Sequence, residues 1–92
     1  MITDYALNGS YPNPFNPATT ISYDVPDIST VNISVYNTNG QLLDVITNSL
    51  HEPGRHTVVW DGGNYSSGIY IIRMRSDKFI QSHKVMLVKF QV

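Results

Sequence analysis

Val31-Asn32-Ile33-Ser34-Val35-Tyr36-Asn37-Thr38-Asn39-Gly40-Gln41-Leu42-Leu43-Asp44-Val45-Ile46-Thr47 is the stretch that decides the fold class. Val31, Ile33 and Val35 alternate with Asn32 and Ser34, the period of two that puts apolar side chains on one face of a strand. Asn37 to Gly40 then interrupts the pattern with an Asn-Gly pair, which takes positive φ at little steric expense. Apolar residues resume after Gln41. The stretch therefore predicts a β-hairpin, Val31–Tyr36 paired with Gln41–Thr47.

The same period extends in both directions. Upstream, Ile21, Tyr23 and Val25 alternate with Ser22 and Asp24 until Pro26-Asp27 stops them. Downstream of a Glu52-Pro53-Gly54 turn, His56, Val58 and Trp60 share one face and Thr57 and Val59 the other. Asp61-Gly62-Gly63-Asn64 breaks that strand, and Ser66-Ser67-Gly68 opens the next. Tyr70, Ile72 and Met74 then oppose Ile69, Ile71 and Arg73. Ser76-Asp77-Lys78 turns the chain into a last strand from Phe79 to Val88, where Val85 and Leu87 alternate with Met86 and Val88.

Six strands follow from this reading, with a candidate seventh around Tyr5–Leu7. Turn signals recur about every 8–12 residues and no helical period appears, which predicts an all-β, immunoglobulin-like antiparallel β-sandwich of six to seven strands. Trp60 belongs in the middle of the core, with Ile33, Val35, Val58 and Ile72 around it. One segment departs from the pattern. From Asn8 to Pro17 the residues suit irregular backbone, because Pro12, Pro14 and Pro17 each fix φ and push their predecessors toward extended conformation. Phe15 is the one large apolar group there and is expected to pin the segment to the core.

At 92 residues the chain makes one domain spanning 1–92, with a thin core that leaves little room for a deep substrate pocket. Six Lys and Arg against seven Asp and Glu give a net charge of −1. That is no field for nucleic acid or for an anionic membrane. The absence of cysteine excludes a disulfide framework, a thiolate zinc site and a cysteine nucleophile. The first residues lack the basic and apolar regions of a signal peptide, and no apolar run reaches membrane-spanning length, so no direct membrane insertion is expected.

His51 in a loop, His56 opening a strand and His83 in the last strand show no ligand spacing, so they read as scattered surface histidines with no metal site. Asp61-Gly62-Gly63-Asn64 is too poor in carboxylates for a calcium loop. It reads better as a turn in which Asp61 accepts backbone N–H groups and the glycines take left-handed conformations. The acids fall mostly in turns or on outward strand positions, and no serine stands in a nucleophile elbow. No catalytic residue and no cofactor are expected. Tyr5, Tyr11, Tyr36, Tyr65 and Tyr70 with Trp60 could form a sugar-stacking platform, but strand aromatics more often fill a small core.

Read in order, Tyr11-Pro12-Asn13-Pro14-Phe15-Asn16-Pro17, Thr19-Thr20-Ile21-Ser22-Tyr23, Val35-Tyr36-Asn37, Gly40-Gln41, Gly54, His56, Val58, Trp60-Asp61-Gly62 and Ser67-Gly68-Ile69-Tyr70, with Lys84 to Lys89 at the end, resemble the type IX secretion system C-terminal sorting domain (type A) of Bacteroidota and related bacteria. The resemblance covers about residues 11–89. A weaker likeness extends to the immunoglobulin-like domain of flagellar hook-capping proteins. It implies a non-catalytic C-terminal signal, attached to an N-terminal cargo domain, that directs the cargo through the periplasm and across the outer membrane to the cell surface or medium. The implied partners are a secretion translocon and a sortase-like peptidase. Carried onto this chain, the implied recognition residues are Pro12, Asn13, Pro14, Phe15, Asn16, Pro17, Gly68, Tyr70, Lys84 and Lys89. Phe90-Gln91-Val92 runs past the terminal lysine where such chains often stop.

In physical terms, a proline-stiffened segment anchored by Phe15 can present a fixed shape with little ordering entropy. An open final strand would add free backbone groups for a partner sheet. Two other readings remain: an immunoglobulin-like spacer or self-association module of a surface protein, and a carbohydrate-binding module.

Overall fold

The computed structural model describes residues 2–89. Phe90-Gln91-Val92 lies outside the described residues. Seven strands form: β1 (Ala6–Tyr11), β2 (Ala18–Val25), β3 (Ser29–Tyr36), β4 (Leu42–His51), β5 (Gly54–Asp61), β6 (Gly68–Ser76) and β7 (Phe79–Leu87). They divide into a three-stranded sheet, β1-β2-β5, and a four-stranded sheet, β4-β3-β6-β7, with every neighbouring pair antiparallel. This is the expected all-β sandwich.

The hairpin that decided the fold class is β3–β4. Gly40 carries its turn with φ of +83°, and the Asn37 side chain accepts from the Asn39 and Gln41 amides. The second strand is longer than expected. It runs on to His51, which pairs with Ser29, so His51 is a strand residue and not a loop residue. The upstream strand also reaches further than Tyr5–Leu7. Asn8-Gly9-Ser10, read as irregular, belongs to β1, with a register shift between Leu7 and Gly9. Turn-forming residues are tolerated there because β1 is an edge strand, and the shift leaves Asn8 unpaired while Gly9 pairs with Ser22. Of the stretch from Asn8 to Pro17, the part from Pro12 on lies outside the named strands. Its three X–Pro bonds, Tyr11-Pro12, Asn13-Pro14 and Asn16-Pro17, are cis.

Between the sheets, Leu7, Ile21, Tyr23, Val25 and Trp60 meet Val31, Ile33, Val35, Tyr70, Ile72, Met74, Val85 and Leu87, and Phe15 joins them from the proline segment. Ile33, Val35 and Ile72 are inaccessible to solvent and Trp60 nearly so, while Val58 is only half-buried. Val58 faces inward from the edge strand β5 and packs against this core without being fully covered. Trp60 gathers the aromatic residues, with Phe15, Tyr65 and Tyr70 centred 5.5–5.6 Å from it. Tilted and edge-on contacts of this kind add to simple area burial. The indole N–H donates to Asp44 at 3.2 Å, which ties β5 to β4 across the sandwich.

The outer face of the three-stranded sheet carries a paired charge. Asp24, 7% exposed despite its outward strand position, accepts from the Arg55 Nε–H at 2.8 Å and from the Asn8 amide at 3.0 Å. The Arg55 hydrogen bond holds the carboxyl below the usual aspartate range. Such a group stabilises the fold above its unfolded pKa, roughly 3.9, and that contribution is lost as pH falls further.

Candidate functional site: the proline strap on the last strand

β7 ends the four-stranded sheet, and its outer edge would normally be open. The Pro12–Pro17 strap closes part of it. The Asn13 side chain donates to the Lys84 carbonyl and accepts from the Met86 amide, both at 3.0 Å. A carboxamide has the donor and acceptor of a peptide unit, so Asn13 stands in for a strand residue. The main chain then takes over. The Phe15 N–H donates to the Met86 carbonyl and the Val88 N–H to the Phe15 carbonyl, each at 2.9 Å, as a parallel bridge between Phe15 and Leu87. Four successive edge groups of the last strand are thereby satisfied. The free final strand expected from the sequence is corrected accordingly: between Lys84 and Val88 the edge belongs to the strap.

Three further contacts seat the strap. The Thr19 hydroxyl donates to the Pro12 carbonyl at 2.7 Å, and the Gly62 N–H donates to the Pro17 carbonyl at 2.8 Å. Phe15, 2% exposed, drops into the core beside Trp60. Gly62 is a glycine for want of room. A Cβ there would stand 3.1 Å from Leu87 Cδ2 and 3.4 Å from Phe15 Cε2. Neither Gly62 nor Gly63 has positive φ, so the expected left-handed turn is not how the Asp61–Asn64 loop is built. Asp61 does accept from the Gly63 amide at 2.8 Å. The Gly63 carbonyl accepts from the Lys89 ammonium at 2.6 Å.

The recognition residues implied by the resemblance divide into three groups. Pro12, Asn13, Pro14, Asn16 and Pro17 are exposed on the strap, and Lys84 is exposed on the adjacent strand. Phe15 and Tyr70 are buried. The Tyr70 hydroxyl donates to the Ser66 carbonyl, so it holds the loop leading to Gly68. Lys89 is half-buried and tethered through both its ammonium and its main-chain amide, the latter bonded to Ser67. Gly68 opens β6 at φ of +157°, with nothing within 4 Å of where a Cβ would stand.

Beside the strap, Ile69 and Met86 pair across β6–β7 and face solvent, each 42% exposed. With Asn13, Pro14 and Lys84 they line a shallow cleft of about 280 Å³. Sequence reading put Ile69 and Met86 on outward faces but not in one patch, because their pairing depends on the β6–β7 register. The patch is apolar with one ammonium at its side. Such a patch suits contact with a complementary surface.

Asn13→Ala tests the strap's closure locally. It should remove about 1–2 kcal/mol of stability, the net worth of two hydrogen bonds. Amide exchange should show the Met86 N–H losing protection while Val88, bonded to the Phe15 main chain, keeps it. Equal exchange at Met86 in both proteins would contradict the pairing.

The aromatic residues do not form a sugar platform. Trp60 and Tyr70 are buried, and Tyr65 is half-buried with its hydroxyl on the Leu43 carbonyl. Tyr5 stacks on Phe79, Tyr36 lies under the Arg73 guanidinium, and Tyr11 stands alone at 82% exposure. The histidines are less scattered than expected. His51 and His56 meet ring to ring with centroids 4.9 Å apart, and the Tyr23 hydroxyl lies 2.6 Å from His51 Nε2. Among the described residues no three potential ligands converge with them.

His83 sits between the sheets' edges on the strap side. Its Nε2 lies 2.6 Å from the Ser10 hydroxyl, and its Nδ1 is buried without a partner. Burial lowers its pKa. A histidine held neutral in the fold stabilises above its unfolded pKa, about 6.5, and the contribution is lost as pH falls through the folded value. The melting temperature should therefore drop on acidification from about pH 6.5. His83→Gln should flatten that slope, and an unchanged slope would exclude His83 as its source.

Among known proteins, no curated protein and no solved structure matches this chain. A family model does: the one described as "Secretion system C-terminal sorting domain" matches residues 10–89, a span that runs from β1 through the strap to Lys89. The chain thus belongs to the secretion system C-terminal sorting domain family, of the type IX kind that its strap and strands resemble.

Proposed function

We propose that the folded surface of this domain is the address itself. An outer-membrane translocon grips the strap and the patch beside it, and the attached cargo passes from the periplasm to the cell surface or medium. One observation supports this above the others. Asn13 and Pro14 of the strap and Lys84, separated by some seventy positions, lie beside Ile69 and Met86 in one largely apolar patch. Exposed apolar surface with fixed geometry suits recognition by another protein. A sortase-like peptidase as a second partner rests on the resemblance alone. Lys89, tied down through its ammonium, acts in this reading by closing the Gly63 loop.

The test is a periplasmic reporter fused to residues 1–92 in a host that has the translocon. The fusion should reach the surface. The triple variant Ile69→Ser, Lys84→Glu, Met86→Ser changes only exposed side chains, so it should melt as the parent does and remain in the periplasm. Retention of the parent fusion would remove the sorting role and leave the spacer reading.

A further inference from the structure

The sandwich has four edges, and three are blocked or broken. β7 is closed by the strap from Lys84 to Val88. β4 carries two register shifts, which leave Ile46 and Leu43 without partners on β3. β1 carries one, and its Leu7 amide donates to the Gln81 side chain. Bulges of this kind twist an edge away from further pairing. β5 is different. Its ladder with β2 runs through eight consecutive pairs, from Ala18–Asp61 to Val25–Gly54, without a shift.

Which backbone groups of β5 face outward follows from the ladder. The Gly62 N–H donates to the Pro17 carbonyl, one step beyond the Ala18–Asp61 pair. Hydrogen-bonded pairs alternate along an antiparallel ladder. Trp60, Val58, His56 and Gly54 therefore bond to β2. Asp61, Val59, Thr57 and Arg55 present their N–H and C=O groups to solvent. On the sheet's outer face these four residues are all exposed, with Val59 at 60%.

We propose that two copies of this chain pair antiparallel through β5, with Val58 opposite the second copy's Val58. This register is the one in which all four outward-facing residues find hydrogen-bonding partners. It sets Arg55 opposite the second copy's Asp61 and Thr57 opposite the second copy's Val59, each twice by symmetry. The strand's two charges are thus placed against their opposites, and Val59 packs diagonally on its symmetry mate. A two-fold axis makes such a contact self-complementary and closed. The result is a continuous six-stranded sheet, β1-β2-β5-β5-β2-β1. Pairing is independent of the sorting role.

A chain without cysteine makes the register directly testable. Residues opposite each other in a non-hydrogen-bonded pair stand about 4.5 Å apart between Cα atoms, within disulfide reach. Val58→Cys should therefore form a covalent dimer under mild oxidation. Thr57→Cys and Val59→Cys should not do so singly, but should cross-link when mixed. Val59→Pro removes an outward N–H and spares the β2 ladder, so sedimentation should show it folded and monomeric. Asp61→Asn should weaken the dimer on the order of tenfold through two lost cross-strand charge pairs. A parent chain that stays monomeric to about 1 mM overturns the proposal. So does cross-linking of Thr57→Cys or Val59→Cys alone as efficient as that of Val58→Cys. Should Val59→Pro fail to fold, the cysteine series decides on its own.

Discussion

Phe15→Ala should lower the free energy of unfolding by about 3–5 kcal/mol and stop a fused cargo from leaving the periplasm. The first effect follows from packing. Phe15 is 2% exposed and fills space between Trp60, Leu87 and the backbone at Gly62, where even one methyl group would crowd its neighbours. Removing the ring leaves a cavity that this close-packed corner cannot collapse to fill. Native stability for a domain is about 5–15 kcal/mol, and a thin core sits toward the lower end. The loss is therefore a large part of the total. The second effect follows from position, since the same residue's N–H and C=O hold Met86 and Val88. With the anchor gone, the strap loses its fixed place beside the Ile69–Met86 patch. Chemical denaturation measures the first effect and reporter export the second. A Phe15→Ala protein with the parent's midpoint would mean that the strap is ornamental.

Trp60→Ala should be comparably destabilising, by about 3–5 kcal/mol, but by a different route. The indole lies inside the sandwich and touches Phe15, Tyr65 and Tyr70, so its loss unseats an aromatic cluster and not one ring. It also takes the donor from Asp44, which leaves β4 and β5 without that tie between the sheets. Trp60→Phe should recover most of the packing and none of the Asp44 bond, falling between alanine and the parent. Circular dichroism during denaturation would follow all three. A Trp60→Phe protein no better than Trp60→Ala would show that filling the space with a ring is not what matters here.

Local pattern carried most of the fold. Val31, Ile33 and Val35 around an Asn-Gly turn, or Tyr70, Ile72 and Met74 against their outward neighbours, need no tertiary information to be read as strands. The misjudged elements are those where tertiary pairing overrides local preference. Asn8-Gly9-Ser10 favours a turn and becomes strand because β2 offers it an edge. Asn48-Ser49-Leu50 shows no alternation, yet it continues β4 along β3. Of the site, Phe15 as an anchor was legible from being the lone apolar group among prolines. The closure of β7 was not. It depends on an asparagine side chain acting as a peptide unit toward a strand seventy residues away, and no spacing along the chain encodes that contact. The Ile69–Met86 pairing and the meeting of His51 with His56 were hidden for the same reason.

One comparison bears most directly on the claim that a rigid strap and its neighbouring patch are read by a translocon. Surface delivery of a reporter should be measured for the parent domain and for the Ile69→Ser, Lys84→Glu, Met86→Ser variant, with the melting temperature of each recorded alongside. The expected outcome is two equally stable domains, of which only the parent reaches the surface. Equal delivery by both would show that this patch is not what the machinery grips.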